Sequence, residues 1–379
     1  MQQHKSQKIG IVGGGIIGLS TGWLLARRGA DVTLFERNEV GKSATHVAAG
    51  MLAPHAEVGF EELDLMKLGQ RSLSLYPEFL EKLKEDAGEV PVFDQCGTMM
   101  AGVDRDDTEI LRRLYDFREK LGLRVEMMPG SQAREREPLL SPATTSAIWL
   151  PDDAQIDNRK LVQSLKTAFV NCGGTILEQT EVQRVTMNEH RVTGVDTGHN
   201  HGYFNLVVLA AGCWTGELEG IPDDMLPPVR PVKGQILTLQ QTGEFDLTTI
   251  IRTPRVYLVP KEDGTLRVGA TSEEQGFNVE PTAGGMKELL DDGWEIVPSI
   301  YDLPVEEFTA GLRPASLDHA PVIGASALEG LYFATGHYRD GILYAPVTSF
   351  GLTQEILEGK VSEDLNAYRP SRFHKNRKS

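Results

Sequence analysis

The residues whose chemistry is easiest to read are three glycines near the start of the chain. Gly13, Gly15 and Gly18 have the G-x-G-x-x-G spacing and follow a strand-like run at residues 8–12. In dinucleotide-binding turns the first glycine allows the tight turn, the second lets the backbone approach a pyrophosphate, and the third lets the helix pack on the strand. The N-terminus of the following helix offers unpaired N–H groups and a positive dipole end to phosphates. The spacing therefore predicts a phosphate-binding turn.

A carboxylate stands at the other end of the same unit. A second apolar run, residues 32–35, leads into Glu36, eighteen residues past Gly18. A carboxylate in this place accepts the hydroxyls of an adenosine ribose and disfavours the 2′-phosphate of NADP. Strand, glycines, helix, strand and acid in one short window predict a dinucleotide site. The unit by itself leaves FAD and NAD open.

Arg313 is the second residue with a chemical meaning of its own, because it lies among apolar residues in the run AGLRPAS. A buried guanidinium needs an anionic partner. That partner is either a substrate carboxylate, held by two parallel hydrogen bonds, or an internal acid in a structural salt bridge. Tyr257, in RVYLVP, is more often a core aromatic than a ligand. It gains a role only if its hydroxyl faces the same cavity as Arg313.

Two further glycine-containing turns follow strand-like runs. The run VVLAAGCW, residues 207–214, reaches Gly212, and LYFATGHYRDGILYAP, residues 331–346, leads through a polar turn to a helix that opens at Gly341. Ligands bind beyond the carboxyl ends of the strands in open α/β sheets. Both turns are therefore candidate walls of the nucleotide site, although each also has an ordinary structural interpretation.

The elements that must position these residues form an α/β pattern. Apolar residues at helical spacing predict helices near residues 62–86, 108–121, 158–171 (capped by Asn158), 284–292 and 347–358. Strand-like runs occur at residues 8–12, 32–35, 175–177, 181–186, 206–210 and 331–335. Residues 227–271 instead contain short β-rich runs separated by turns. A mononucleotide-type fold interrupted by insertions with an antiparallel sheet explains this order.

Composition excludes several classes of protein. The chain has 379 residues, of which 40% are hydrophobic and 24% charged, which is ordinary for a globular enzyme of about two domains. A formal charge of −16 makes nucleic acid or an anionic membrane surface an improbable partner. No apolar run approaches the roughly 20 residues that span a bilayer. The opening MQQHKSQ has no apolar core, so it is not expected to be a secretory signal.

Cysteine and histidine usage points away from metal and disulfide sites. Cys96, Cys172 and Cys213 are odd in number and far apart, which agrees with a reducing cytoplasm. The histidines have no metal-ligand spacing, so no metal is expected. The basic residues at the end of the chain are interpreted as a solvated tail: Arg369, Arg372, Lys375, Arg377 and Lys378.

Taken together, these segments resemble the D-amino acid oxidase superfamily of FAD-dependent amine oxidases, and most closely the glycine oxidases of thiamine biosynthesis. The matching segments span nearly the whole chain in the family's order: IVGGGIIGLS, FER, AAGMLAPHAE, PVKGQ, YLVP, VGAT, AGLRPAS and TGHYRDGILYAP. The resemblance implies an FAD-binding, Rossmann-like domain of the glutathione reductase type with an inserted antiparallel β-sheet substrate domain. The FAD-binding domain would comprise residues 1–84, 150–225 and 306–379, and the substrate domain residues 85–149 and 226–305.

The resemblance also implies residue roles. Arg313 would clamp the substrate carboxylate with help from Tyr257, and Arg339 would also face the substrate. FAD would be bound by the residues of the glycine-rich unit and of the later matching segments: Gly13, Gly15, Ile16, Ile17, Gly18, Glu36, Arg37, Ala44, Thr45, Ala49, Gly50, Met51, Val182, Gly212, His337, Tyr338, Arg339, Asp340, Gly341, Ile342 and Leu343.

The implied activity is oxidative deamination of glycine, other small primary or secondary amines, or D-amino acids. It would give a 2-oxo acid, ammonia or an amine, and hydrogen peroxide from O2. A homo-oligomer in the cytoplasm is expected. The alternatives are a D-amino acid dehydrogenase that uses a quinone or another electron carrier, a non-catalytic flavin-binding protein, and an NAD-dependent dehydrogenase, which would be colourless.

Two positions depart from the family pattern, and a third, His46, is considered separately. Ser272 follows VGAT where a methionine often lies near the active site, so the size and polarity of the pocket are open. Arg255 precedes Tyr257 by two residues, and a cation there would favour larger or acidic substrates. His46 lies in a segment through which related amine dehydrogenases attach flavin covalently. Val47 separates His46 from Ala-Ala-Gly, however, and this spacing disfavours such a bond.

Overall fold

A computed structural model describes residues 7–57 and 59–373. The strands are, in chain order, β1 (Lys8–Val12), β2 (Asp31–Phe35), β3 (Met51–Leu52), β4 (Thr98–Gly102), β5 (Glu126–Pro129), β6 (Ser146–Leu150), β7 (Ala154–Gln155), β8 (Thr175–Leu177), β9 (Arg184–Asn188), β10 (Arg191–Asp196), β11 (His201–Tyr203), β12 (Leu206–Leu209), β13 (Val229–Gln240), β14 (Ile250–Arg252), β15 (Tyr257–Pro260), β16 (Thr265–Gly269), β17 (Val305–Ser316), β18 (Val322–Ala325) and β19 (Leu331–Thr335).

The α-helices are α1 (Ile16–Arg27), α2 (Ala44–Val47), α3 (Pro54–Glu57), α4 (Leu63–Ala87), α5 (Arg105–Lys120), α6 (Gly130–Arg136), α7 (Asn158–Asn171), α8 (Ala283–Ile296) and α9 (Gly341–Glu358). Short 3₁₀ helices cover Gly212–Glu217, Pro298–Asp302, Glu363–Tyr368 and Pro370–Phe373. Among the described residues, no helix combines the length and apolar character that a membrane crossing requires.

A six-stranded sheet, in the order β18-β19-β12-β1-β2-β8, forms the Rossmann-like part of the fold. All its neighbouring strands are parallel except β18, which runs antiparallel to β19. The central strand β1 is buried from Ile9 onward, as expected for a parallel strand covered on both faces. Helices α1, α4, α7 and α9 pack against one another around this sheet. The predicted α/β fold class with a dinucleotide-type sheet is confirmed.

An eight-stranded sheet, in the order β17-β13-β16-β15-β14-β4-β6-β5, contains the predicted antiparallel strands. All its neighbouring strands are antiparallel except β14 and β4. Strand β17 pairs with β13 from Val229↔Ser316 to Leu239↔Val305 and so belongs to this sheet, although the boundary predicted at residues 305/306 places most of it in the FAD-binding domain. The domain division stays a prediction.

Two helix termini differ from the sequence-based prediction. The cap of α7 is Asp157, not Asn158, because the Asp157 carboxylate accepts from the N–H groups of Arg159 and Lys160. Helix α9 begins at Gly341, where the polar turn predicts a helix to open, and not near 347, where the apolar spacing predicts one, because Pro346 is accommodated inside it.

The basic tail is only partly described. Arg369 is paired with Glu355, and Arg372 with Asp318, so these two arginines anchor the chain rather than extend into solvent. Lys375, Arg377 and Lys378, like residues 1–6 of the opening segment, lie outside the described residues.

Candidate functional site

A cavity of about 650 Å³ lies between the two large sheets. One wall is the carboxyl edge of the parallel sheet, where Val12, Phe35 and Thr335 end their strands. The opposite wall is one face of the eight-stranded sheet. The volume is in the range of cofactor and substrate pockets, and the position is where open α/β sheets bind ligands.

The glycine turn forms the part of the cavity expected to hold phosphate. Gly13 has a φ of +108°, and a Cβ there would lie 2.3 Å from the Ala210 carbonyl oxygen. Gly15 is the N-cap residue of α1 and has no side chain that could cap the helix. The first helical N–H, that of Ile16, donates to Thr45 Oγ1 at 3.1 Å. The turn thus brings bare backbone and a helix N-terminus to the cavity wall, as a pyrophosphate requires.

Gly18 does not line the cavity, but it makes the close helix–strand approach predicted for it. A Cβ at Gly18 would lie 2.0 Å from the carbonyl oxygen of Gly13. No larger residue fits between α1 and the turn without moving one of them.

Glu36 faces the cavity at the end of β2 and is only 9% exposed. One carboxylate oxygen accepts from the Gly14 N–H and the other from the Asn38 N–H, both at 2.9 Å. These bonds fix the carboxylate, and each oxygen retains a lone pair for a further donor. Two ribose hydroxyls are donors of that kind.

The end of the cavity beside Glu36, which is predicted to hold adenosine, contains an aromatic residue for which no role was predicted from the sequence. Trp214 carries the Arg37 guanidinium 3.6 Å above its ring and stacks on Phe277 at 5.8 Å. Val182 and Gly212 line the same end. The signal for Trp214 was its place two residues after the Ala-Ala-Gly turn that follows β12.

The middle of the cavity is lined by α2 and the turn into β3, which contribute Ala44, Thr45, Ala49, Gly50 and Met51. A residue of α7 holds the backbone of this segment, because Asn158 Nδ2 donates to the Thr45 carbonyl oxygen at 2.6 Å. A Cβ at Gly50 would lie 2.2 Å from the Ile156 carbonyl oxygen. This close packing holds the segment against the neighbouring chain.

His46 does not line the cavity, although its neighbours do. Its Nε2 lies 3.5 Å from Glu307, and burial together with Arg159 lowers the pKa of its imidazole. The structure therefore gives no support to covalent attachment of flavin through His46.

The end of the cavity that is predicted to hold the substrate, called the substrate end below, has as its floor a row of residues on one face of the eight-stranded sheet. Arg252 lies directly opposite Tyr257 on the neighbouring strand, and Tyr257 lies opposite Gly269 on the next. Ile236 lies opposite Gly269, and Gly234 follows on the same face of β13. The glycines at these places leave room for the side chains of Tyr257 and Arg313, which lie over Gly269 and Gly234.

Arg313 completes this row from β17. Its guanidinium lies over Gly234, where a Cβ would come within 2.3 Å of Nη2. Its Nη1 donates to the carbonyl oxygen of Thr271 at 3.0 Å. Within residues 7–57 and 59–373, no carboxylate lies within 4.0 Å of this guanidinium, so the interpretation as an internal salt bridge is wrong.

Tyr257 faces the same cavity as Arg313, which was the condition for giving it a role. Its hydroxyl hydrogen-bonds to Arg313, and burial raises the pKa of the phenol to about 12. Because a guanidinium only donates, the Tyr257 oxygen accepts and its O–H remains available to an anion.

Arg339 lines the cavity, but its charge is already compensated. Its Nη2 donates to both oxygens of Glu62, at 2.8 and 2.9 Å, and to the Glu57 carbonyl at 3.3 Å. Although burial opposes the charge, Asp340, Glu57 and Glu62 raise the pKa of Arg339.

The turn that precedes α9 contributes His337 and Tyr338 to the wall, and the start of the helix contributes Gly341 and Ile342. His337 is fully buried beside Thr348, and desolvation lowers its pKa to about 3, so the imidazole is neutral at physiological pH.

Two residues expected to border the flavin, Asp340 and Leu343, do not line the cavity, because the rotation of the first turn of α9 directs them elsewhere. The Asp340 carboxyl is hydrogen-bonded to Glu57. Leu343 packs at Gly69 in the apolar core.

Two charged residues that line the cavity were not predicted from the sequence to have a role. Arg252 and Glu57 both line it, and their side chains are joined at 2.9 Å. Arg252 could have been found from the hairpin of β14 and β15, which pairs it with Tyr257. Glu57 carries no local signal, because only the fold brings α3 to β14.

The two departures in this region also have a place in the structure. Ser272 lines the cavity where the sequence suggested a change in polarity. Arg255 lines it too, but its side chain is 45% exposed and is paired with Asp292 and Glu295. It therefore offers no free charge to an acidic substrate.

Comparison with known proteins agrees with this geometry. The family of FAD dependent oxidoreductases designated DAO matches residues 8–354. A glycine oxidase from Geobacillus kaustophilus is 31% identical over 354 residues, covering 93% of each chain. The crystal structure of glycine oxidase from the same organism superimposes with a TM-score of 0.90 at 31% identity, covering 97% of this chain and 99% of that one.

A longer relative matches as well. The bifunctional protein ThiO/ThiG of Trichormus variabilis is 34% identical over 383 residues, covering 98% of this chain. The chain spans only 56% of that relative, about half its length.

Proposed function

Since this chain belongs to the DAO family of FAD dependent oxidoreductases, we propose that it catalyses the oxidative deamination of glycine and of other small amines or D-amino acids. For glycine, the balanced reaction consumes O2 and water and releases glyoxylate, ammonia and hydrogen peroxide. When bound, FAD supplies the two-electron acceptor for the Cα–H bond and returns these electrons to O2.

The cavity has the features that FAD requires. The turn at Gly13 and Gly15 presents backbone to a pyrophosphate, Glu36 presents fixed carboxylate oxygens to a ribose, and Trp214 with Arg37 presents flat surfaces to an adenine. We infer that the segment from Ala44 to Met51 and the turn at His337 enclose the flavin ring, because they line the part between these features and the substrate row.

The observation that carries the proposal is the guanidinium of Arg313, which has no salt bridge among the described residues and lies beside the Tyr257 hydroxyl. A fork of N–H donors and one O–H donor match a carboxylate. Fixing the carboxylate there holds the substrate Cα in one place, and such orientation is a major source of rate in enzymes. No protein base is assigned, and the amine reacts in its neutral form.

The test is an Arg313→Met variant of the FAD-loaded protein. Because a hydrogen-bonded ion pair with the substrate is lost, kcat/KM for glycine should fall at least 100-fold, of the order expected for about 3 kcal/mol. The control is Arg255→Met, which alters a cavity arginine whose charge is already paired. An unchanged kcat/KM for Arg313→Met would refute the carboxylate clamp.

Anaerobic and aerobic assays separate the competing functions. Bleaching of the flavin by glycine, sarcosine or D-alanine without O2 excludes a non-catalytic flavoprotein. Stoichiometric O2 uptake and peroxide then identify an oxidase, whereas dye reduction without peroxide identifies a dehydrogenase that uses another carrier. The homo-oligomeric state and the cytoplasmic location stay predictions of the sequence.

A further inference from the structure

Four arginines line the substrate end of the cavity, and three of them are paired with acids of the chain itself. Arg313 has no such partner among the described residues. The three pairs are Arg252 with Glu57, Arg255 with Asp292 and Glu295, and Arg339 with Glu62.

Arg252 is the paired arginine that lies closest in the sheet to the carboxylate clamp. It is directly opposite Tyr257 on the neighbouring strand, so the two side chains share a face. The charges of Arg313, Glu57 and Arg252 all act on the Tyr257 hydroxyl. Tyr257 therefore stands between two guanidinium groups, only one of which is free.

Glu57 is held at Arg252 by a buried network under α3. The Asp153 carboxylate, which is 0% exposed, accepts from the N–H groups of His55 and Ala56, both at 3.1 Å. From the other side, Arg118 donates to the carbonyl oxygens of the same two residues, at 2.7 and 3.1 Å. The backbone before Glu57 is thus fixed, and its carboxylate is not a mobile surface group.

A second carboxyl group completes the arrangement. Asp340 is hydrogen-bonded to Glu57, and two carboxyl groups can share such a bond only when one carries a proton. Burial and the charge of Glu57 raise the pKa of Asp340. Burial raises the pKa of Glu57, but the charges of Arg252 and Arg339 outweigh burial and hold this pKa below its usual range. The negative charge therefore resides on Glu57, facing Arg252.

We propose that Glu57 determines specificity by masking Arg252, a second carboxylate-binding site of this cavity. With Glu57 in place, Arg313 is the one arginine of these four without a salt bridge among the described residues, and the enzyme accepts substrates with one carboxylate. Without the charge of Glu57, a dicarboxylate can bridge Arg313 and Arg252 across Tyr257. This inference rests on the proposed function, because it concerns the substrate class of the same site.

The test compares two small anions, acetate and malonate, as ligands of the FAD-loaded protein. Their dissociation constants are measured from the perturbation of the flavin absorbance. Wild type should bind malonate no more tightly than acetate. Glu57→Gln should shift the ratio of the two constants at least tenfold toward malonate, and Glu57→Gln/Arg252→Met should restore it.

The matched control is Glu295→Gln, which removes the same charge from the partner of Arg255 while leaving Asp292 in place. Its ratio should equal that of wild type. An equal shift in Glu295→Gln would show a general effect of charge and overturn the proposal, as would an unchanged ratio in Glu57→Gln.

If Glu57→Gln does not fold, the wild-type protein still tests the proposal. Tighter binding of malonate than of acetate by wild type would show that Glu57 does not mask Arg252. A different experiment tests the proposed function: it is wrong if glycine and the other amines do not reduce the flavin under anaerobic conditions. A shifted malonate ratio in Glu57→Gln would then still support the masked site.

Discussion

Tyr257 shows how a residue typical of protein cores becomes a ligand-binding group. Its ring lies over Gly269, where a Cβ would come within 2.7 Å of the ring, so the tyrosine covers a position without a side chain. Its hydroxyl is bonded to Arg313, and its pKa of about 12 keeps it protonated at neutral pH. The same residue thus fills the floor of the cavity and presents a donor above it.

Tyr257→Phe keeps the ring and removes this donor. A hydrogen bond to a charged group contributes about 1.5–3 kcal/mol, so KM for glycine should rise about 10- to 100-fold. Steady-state O2 uptake measures the change. Tyr301→Phe is the control, because the Tyr301 hydroxyl bonds to Asp291 on the exposed face of α8. Equal KM values for Tyr257→Phe and wild type would contradict the assignment.

In helix α9, a side chain of another helix replaces a hydrogen bond that a proline removes. Pro346 lies in its second turn and has no N–H to donate to the carbonyl of Ile342, four residues earlier. The Tyr76 hydroxyl of α4 donates to that carbonyl instead. Ser72 similarly donates to the carbonyl of Leu343 and accepts from the N–H of Val347. The cavity-lining turn before the helix therefore depends on α4.

Tyr76→Phe should leave the buried carbonyl of Ile342 without a donor and lower the free energy of unfolding by about 1–3 kcal/mol. In a Pro346→Ala background the restored N–H should reduce this loss to well below half. Urea unfolding of the four proteins in the double-mutant cycle, each saturated with FAD, measures the coupling. Equal losses in both backgrounds would show that Tyr76 does not replace the missing N–H.

At the scale of the whole molecule, the two largest sheets enclose the cavity between them, and buried groups couple stability to pH. His337 has an ordinary pKa of 6.5 when unfolded and about 3 in the fold, because it is desolvated. Between these values the unfolded chain binds more protons than the folded one, so stability falls as pH falls below 6.5.

Lowering the pH from 7 to 5 should cost wild type about 2 kcal/mol through His337 alone, at 1.36 kcal/mol per pH unit below 6.5. His337→Gln keeps a polar side chain without a titrating imidazole. The free energy of unfolding in urea should therefore fall more for wild type than for His337→Gln between pH 7 and pH 5. Any advantage of wild type at pH 7 should become smaller at pH 5, or the variant should become the more stable protein. Parallel pH profiles from pH 7 to pH 5 would contradict a neutral buried His337.

The dinucleotide unit was predictable because its information is local. Gly13, Gly15, Gly18 and Glu36 lie in one short stretch, and the strand–helix–strand geometry follows from apolar spacing and glycine positions alone. The parallel and antiparallel parts of the fold were predictable for the same reason. The sheet to which β17 belongs was not predictable from the sequence, because its partner, β13, is distant in the chain.

What the tertiary structure alone decided is the charge of the substrate end. The sequence determined that Arg313, Arg255 and Arg339 are cations near the expected cavity, but it could not tell which of them is free. The neutralising acids come from α3, from the turn before α4 and from α8, all remote from the arginines in the chain. Electrostatic pairing acts through a few ångströms of space, and only folding sets those distances.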